Sequence, residues 1–154
     1  MITSLDSAFL HTLLADAARD GITKLVVGAV IANPDGEVLL LHRQAGDYLA
    51  GLWELPSGGV DEGETLIDAL GREVNEETGL TVTSIGDYLG HFDYRSGSGR
   101  PTRQFNFAAT TTGDTVTLTE HDAHSWTAPQ DSPQVSSSVQ DILDTWRSKT
   151  ASSS

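Results

Sequence analysis

The sequence contains no cysteine, which excludes disulfides, thiolate metal sites and a cysteine nucleophile. Basic residues are scarce as well: 9 Lys and Arg stand against 22 Asp and Glu, a formal net charge of −13. Broad nucleic-acid and anionic-membrane surfaces need clustered cations, so neither partner is expected. No apolar run approaches the roughly 20 residues that a membrane span requires. Asp6, His11 and Asp16 interrupt the apolar residues where a secretory signal would lie, and a cytoplasmic location is expected. The 154 residues suffice for one domain with a core and are too few for two comfortable ones.

What the chain has in excess is carboxylate, and it is concentrated between Gly58 and Leu80 in GGVDEGETLIDALGREVNEETGL. Thr65 to Thr78 lacks proline, is preceded by Asp61, Glu62 and Glu64, and stops at Gly79, so a helix is expected there. At about 100° per residue, Leu66, Ile67, Leu70 and Val74 form an apolar stripe. Glu77 falls between Leu66 and Leu70, inside the stripe. Glu73 lies at i,i+3 from Glu76 and at i,i+4 from Glu77, spacings at which like charges repel. Something positive must sit among them. Arg72 alone cannot face all three, whereas a hard divalent cation such as Mg²⁺ prefers carboxylate and water oxygens and could bridge them. A solvated acidic face is the plainer account of such a run, but the charge inside the apolar stripe and the Gly58-Gly59 turn ahead of it count against that account.

Gly58, five residues, Glu64, seven residues, Arg72-Glu73-Val74, one residue, Glu76-Glu77, one residue and Gly79-Leu80 resembles the complete signature of the Nudix hydrolases, the family of the MutT enzymes. Gly51-Leu52-Trp53-Glu54-Leu55-Pro56 resembles the approach to this box in MutT-like members, and Ser57 departs from it where many relatives carry glycine. The resemblance implies an α+β fold with a mixed sheet between helices in α/β/α layers. It implies Mg²⁺ or Mn²⁺ held by Glu73, Glu76 and Glu77, with Glu64 and a backbone carbonyl at Gly58 or Gly59 in support. Arg72 would orient a carboxylate, and Glu77 or Glu120 would take the proton of the attacking water. The isopentenyl diphosphate isomerases share this fold but rely on a catalytic cysteine, which is missing here.

The rest of the chain supplies the frame. Ser4 to Asp20 reads as an amphipathic helix stopped by Gly21, an extension over residues 1–22 that packs on the domain, caps the substrate or contacts a second copy. Lys24 to Ala32 and Glu37 to Arg43 read as a hairpin around Asn33-Pro34-Asp35-Gly36. Trp53 to Pro56 is a short strand leading into the box. Thr81 to Tyr88, Leu89 to Tyr94 and Thr102 to Thr112 are further strands, and the stretch containing His121 and His124 is another. The spacing of those histidines does not suit a shared metal. A helix from Val135 to Lys149 closes the domain of residues 23–149, and 150–154 is expected to be a disordered tail.

Substrate contacts are expected outside the box, from Arg43, from Trp53 (core packing being the stronger demand on it), and from Arg95, Arg100 and Arg103 beside the glycine-rich connection. The implied activity is cleavage of a nucleoside triphosphate to monophosphate and pyrophosphate. ADP-ribose or another nucleoside diphosphate derivative is the second substrate class, and a non-catalytic nucleotide-binding module is the alternative of another kind. Homodimers are common in the family, but no interface signal is legible in this chain.

Overall fold

In the computed structural model the described residues are 6–42, 52–113, 115–118, 121, 123–128 and 134–153. The chain runs α1 (Ser7–Arg19), β1 (Lys24–Ile31), β2 (Val38–His42), β3 (Trp53–Glu54), β4 (Ser57–Gly59), α2 (Leu66–Thr78), β5 (Val82–Arg95), β6 (Pro101–Thr111), β7 (Ala123–Thr127) and α3 (Ser137–Ser153). The strands form a four-stranded sheet in the order β4-β1-β6-β5 and a three-stranded sheet in the order β3-β2-β7. The first is mixed: β1 runs parallel to β6, while β4 and β5 pair antiparallel to their neighbours.

Alternation along the strands divides the interior into two cores. Val27, Ala29, Ile31, Leu39, Leu41, Phe105 and Phe107 turn to one side, where they pack with Leu13 and Ala17 of α1 and Leu66, Leu70 and Val74 of α2. Val30, Val38 and Leu40 turn to the other and meet Val139, Ile142 and Leu143 of α3. The layers are therefore α/β/α, as expected. α1 docks on the α2 side, with Phe9 edge-on to Tyr88 at 5.4 Å between ring centroids. Packing on the domain is thus the observed role of this helix.

Four local expectations change. β1 and β2 are not a simple hairpin in one sheet; they belong to different sheets, joined directly by the bridge of Ala32 to Val38. Gly58 and Gly59 are not a turn but strand β4, in which Gly58 pairs with Val27 and Gly59 with Val26. The two strands expected between Thr81 and Tyr94 are one long strand, β5, with register shifts, the last of them at Gly90, whose φ of +107° favours glycine. At the C-terminus, α3 continues through Ser153 rather than stopping at Lys149.

α2 begins and ends where its sequence directs. Thr65 takes the N-cap and accepts the backbone N–H of Asp68 at 3.0 Å, and Gly79 closes the helix in the left-handed region at φ +76°. Leu66, Ile67, Ala69, Leu70 and Val74 are buried, and Glu77 is buried with them at 8% exposure. Leu70 is wholly enclosed, so Leu70→Ala is expected to cost about 2–5 kcal/mol and to loosen the helix that carries the carboxylates.

Candidate active site

β4 is an edge strand, and its alternation sorts the site. Ser57 pairs across β1 with Gly28 and lines a cleft of about 470 Å³, together with Lys24, Trp53, Phe92, Tyr94 and Gln104. Gly58 turns the other way, towards α2. A Cβ placed on Gly58 would stand 1.9 Å from Oε2 of Glu73, so only glycine leaves room for that carboxylate against the strand. A Cβ placed on Gly59, by contrast, would have its nearest neighbour at 4.0 Å, the carbonyl of Leu25.

Arg72 is the hub of the acidic cluster. Its Nε and Nη2 donate to the two carboxylate oxygens of Glu64, each at 2.8 Å, a paired hydrogen bond of the kind expected. Nη1 donates to Glu73 at 2.8 Å and to Glu76 at 3.1 Å, and Nη2 also reaches the carbonyl of Gly59 at 2.9 Å. Glu64 in turn accepts the backbone N–H of Asp61 at 2.9 Å. This contact and, above all, the Arg72 guanidinium hold the Glu64 carboxyl down to about 2.

Glu77 stands apart from that hub. It accepts the backbone N–H of Ser57 at 2.7 Å, which bridges the helix to the edge strand. Burial pushes its carboxyl up to about 8 despite that hydrogen bond, and burial also raises Glu73 above the usual carboxylate range. Arg72 thus engages two of the three expected carboxylates, and the three do not converge on one point. Among the described residues no group of three or more acidic or histidine side chains is drawn close enough to hold a metal ion. The physical reason is that Arg72 draws Glu73 and Glu76 to itself while Ser57 holds Glu77 at the strand.

The expected substrate residues fall in different places. Trp53 is half-buried, packs on the second core and lines the cleft, which unites the two roles weighed for it. Arg95 is exposed and donates to the carbonyl of Gly99 at 3.0 Å, and Arg100 donates to the carbonyl of Thr23. Arg103 is not a loop cation: it is 5% exposed and clamps Asp93 through two hydrogen bonds of 2.7 and 2.9 Å and Asp20 at 3.0 Å. Both aspartates are held below the usual carboxylate range by that guanidinium. Arg103 therefore fastens the end of α1 to the sheet, a correction to its expected place at the substrate. Arg43 and Glu120 lie outside the described residues.

Several cleft residues were not singled out from sequence. Glu54 lines the cleft and pairs with Nε2 of His121 at 2.6 Å, so His121 is a buried partner of the β3 strand, while His124 is exposed. Lys24 and Gln104 reach the cleft because β1 and β6 are parallel neighbours in register from Lys24 with Thr102 onward. The alternation of Thr102, Gln104 and Asn106 in β6 was the available signal.

A family model described as the NUDIX domain matches residues 23–145. A relative from Escherichia coli named CTP pyrophosphohydrolase is 35% identical over 117 residues, covering 76% of this chain and 84% of its own. An RNA pyrophosphohydrolase of Caulobacter vibrioides is 54% identical over 61 residues, 38% of this chain, and the match spans about a third of that protein's length, 34%. Among solved structures, a MutT protein from Methanosarcina mazei superposes with a TM-score of 0.73 at 28% identity, covering 85% of this chain and 97% of the other. The chain belongs to the Nudix family. No helix among the described residues is long and apolar enough to cross a membrane.

Proposed function

We propose that this enzyme hydrolyses a nucleoside triphosphate to the monophosphate and pyrophosphate with Mg²⁺ or Mn²⁺ held by Glu73, Glu76 and Glu77. The observation that carries the reading is the pair of buried or half-buried carboxylates that α2 brings against edge strand β4, Glu73 over Gly58 and Glu77 on the backbone N–H of Ser57, a residue that lines the cleft. In donor chemistry the residues fit a hard divalent cation, which would draw Glu73 and Glu76 from Arg72 towards Glu77: the donors are oxygens, Gly58 leaves space for Glu73, and the negative charge exceeds what Arg72 can neutralise. When bound, such an ion supplies positive charge to the polyphosphate and polarises the phosphoryl oxygens.

The chain's own residues have separable tasks. Arg72 and Glu64 hold one another and, through Arg72, set the position of Glu73. Glu77 is fixed by Ser57, whose backbone N–H faces the carboxylate while the residue lines the cleft. Trp53, Phe92 and Tyr94 offer aromatic surface for a base, and Lys24 a cation for the polyphosphate. The proton of the attacking water goes to Glu77 or Glu120. The 35% identity to a CTP pyrophosphohydrolase over most of both chains supports the triphosphate class.

The test is a turnover screen with Mg²⁺ and with chelator against nucleoside triphosphates, ADP-ribose and nucleotide sugars, with products resolved by chromatography. Pyrophosphate with a nucleoside monophosphate is expected. Two monophosphates from a diphosphate derivative, with triphosphates untouched, would overturn the substrate class, and unaltered turnover in chelator would overturn the metal. Nucleotide binding without turnover of any compound would point to a binding module.

A further inference from the structure

The four-stranded sheet buries a polar pair that a core alone does not require. Gln104 and Asn106 lie two residues apart on one face of β6 and are 6% and 0% exposed. Their neighbour in β1 is Gly28, and a Cβ there would stand 2.5 Å from both Oδ1 of Asn106 and Nε2 of Gln104. A glycine inside a central strand weakens it, and this one makes space for two amides.

The hydrogen bonds fix which way each amide points. Nδ2 of Asn106 donates to two carbonyls, those of Gly90 and of Gln104 itself, each at 3.2 Å. Reversing Asn106 would set its oxygen against both, so Oδ1 is left to accept. It accepts Nε2 of Gln104 at 2.8 Å. Gln104 is thereby oriented in turn, because its reversed form would bring two amide oxygens together. Oε1 of Gln104 is the remaining acceptor, it has no hydrogen-bond partner among the described residues, and Gln104 lines the cleft.

We propose that Oε1 of Gln104 reads the nucleobase by accepting a hydrogen bond from its exocyclic amino group, with Asn106 as its positioning residue and Gly28 as the clearance that admits both. This rests on the nucleoside triphosphate reading of the site. The selected class is a base with an amino group where its isostere carries a carbonyl: cytosine over uracil, adenine over hypoxanthine. A carbonyl there would oppose Oε1, and a buried acceptor set against an acceptor is costly. The same sheet carries the rest of the substrate's path, since Asn106, Gly28 and Ser57 are successive partners across β6, β1 and β4. Two strand spacings, roughly 10 Å, then separate the base-reading strand from the edge strand beside Glu73 and Glu77.

The experiment compares kcat/KM for CTP against UTP, and ATP against ITP, in the wild type, Gln104→Leu and Gly28→Ala, with the near-ultraviolet dichroism of each variant as the check on folding. If the leucine variant does not fold, Gln104→Met retains the length without the amide. The wild type is expected to favour the amino partner of each pair by at least about tenfold. Gln104→Leu is expected to bring the ratio to within about twofold of unity by lowering turnover of CTP and ATP. Gly28→Ala, which displaces the amides, moves the ratio the same way. A wild-type ratio near one, or a preserved ratio in folded Gln104→Leu, overturns the proposal. Should the wild type cleave no triphosphate, the functional reading fails separately, and calorimetric binding of CMP against UMP decides the amino preference without turnover. Equal binding of the two then overturns it.

Discussion

Two arginines in this chain gather carboxylates, and they do so in opposite ways. Arg103 is buried and meets two partners, Asp20 and Asp93, in hydrogen bonds of 2.7 to 3.0 Å. Arg72 is half-buried and has four carboxylates within 3.6 Å, those of Asp61, Glu64, Glu73 and Glu76, with Glu77 close by and out of its reach. One guanidinium can satisfy two aspartates; it cannot neutralise the second cluster. The first arrangement is a fastening between α1 and the sheet, the second a site with negative charge left over. The contrast separates an ion-pair cluster whose charges balance closely from one whose negative charge a single guanidinium leaves unmatched, the feature on which the proposed cation site rests.

The comparison is broken most severely at Glu77. Glu77→Gln keeps the shape and the capacity to accept from Ser57, while removing a charge from the proposed cation site. Turnover is expected to fall by orders of magnitude, with the melting temperature in chelator unchanged or raised, since burial opposes the charged carboxylate. Steady-state kinetics and thermal denaturation of the same preparation check both halves. Wild-type turnover in the folded variant would remove Glu77 from the site.

A pair of glycines sharpens the account of the edge strand. Gly58→Ala places a Cβ where the Glu73 carboxylate lies, so Glu73 must move, and kcat/KM is expected to drop by about tenfold to a hundredfold, as for a misplaced catalytic group. Gly59→Ala meets nothing closer than 4.0 Å and is expected to stay within about twofold of wild type. Equal effects at the two positions would mean that strand β4 responds to any side chain, and that the cradle for Glu73 is not the reason for Gly58.

How much of this was legible from sequence depends on the range of the interactions. The limits of α2 are set by neighbours within a turn, Thr65 at one end and Gly79 at the other, and were read correctly. The burial of Glu77 followed from its place in the apolar stripe. Strand β4 was not legible, because Ser57-Gly58-Gly59 has neither β-branched nor apolar residues and is extended only by pairing with β1. Arg103 was grouped with its sequence neighbours in the glycine-rich connection. Register with β5 instead turns it inward opposite Asp93, a contact set by strand pairing rather than by sequence distance. In β6 the polar row of Thr102, Gln104 and Asn106 has the alternation of a solvent-facing strand, yet all three are buried. Alternation identifies a face and says nothing about what covers it.

Arg103 offers the converse of the Glu77 substitution. Arg103→Met removes the clamp and leaves Asp20 and Asp93, both partly exposed, to recover solvent. A loss of about 2 kcal/mol in stability is expected from the charged hydrogen bonds, with kcat unchanged below the melting transition. Chemical denaturation and kinetics test this; a large fall in kcat with stability intact would return Arg103 to the substrate site.

The smallest effect is in acid. Asp93 and Asp20 are held below the ordinary carboxylate range by the Arg103 guanidinium, so the folded protein binds their protons less readily than the unfolded chain does. Their contribution is therefore fully present above the ordinary carboxylate range, about pH 4, and is lost as the pH falls through the lowered folded values. Other carboxylates titrate in the same window, Glu64 among them, so a fall in wild-type melting temperature alone would not identify the clamp. The difference between wild type and Arg103→Met does: the gap in melting temperature is expected to be constant from pH 5 to 7 and to narrow below about pH 4 as the aspartates protonate. A gap that persists unchanged at pH 2.5 would mean that Arg103 stabilises the fold by packing its aliphatic stem, with its carboxylate partners contributing nothing.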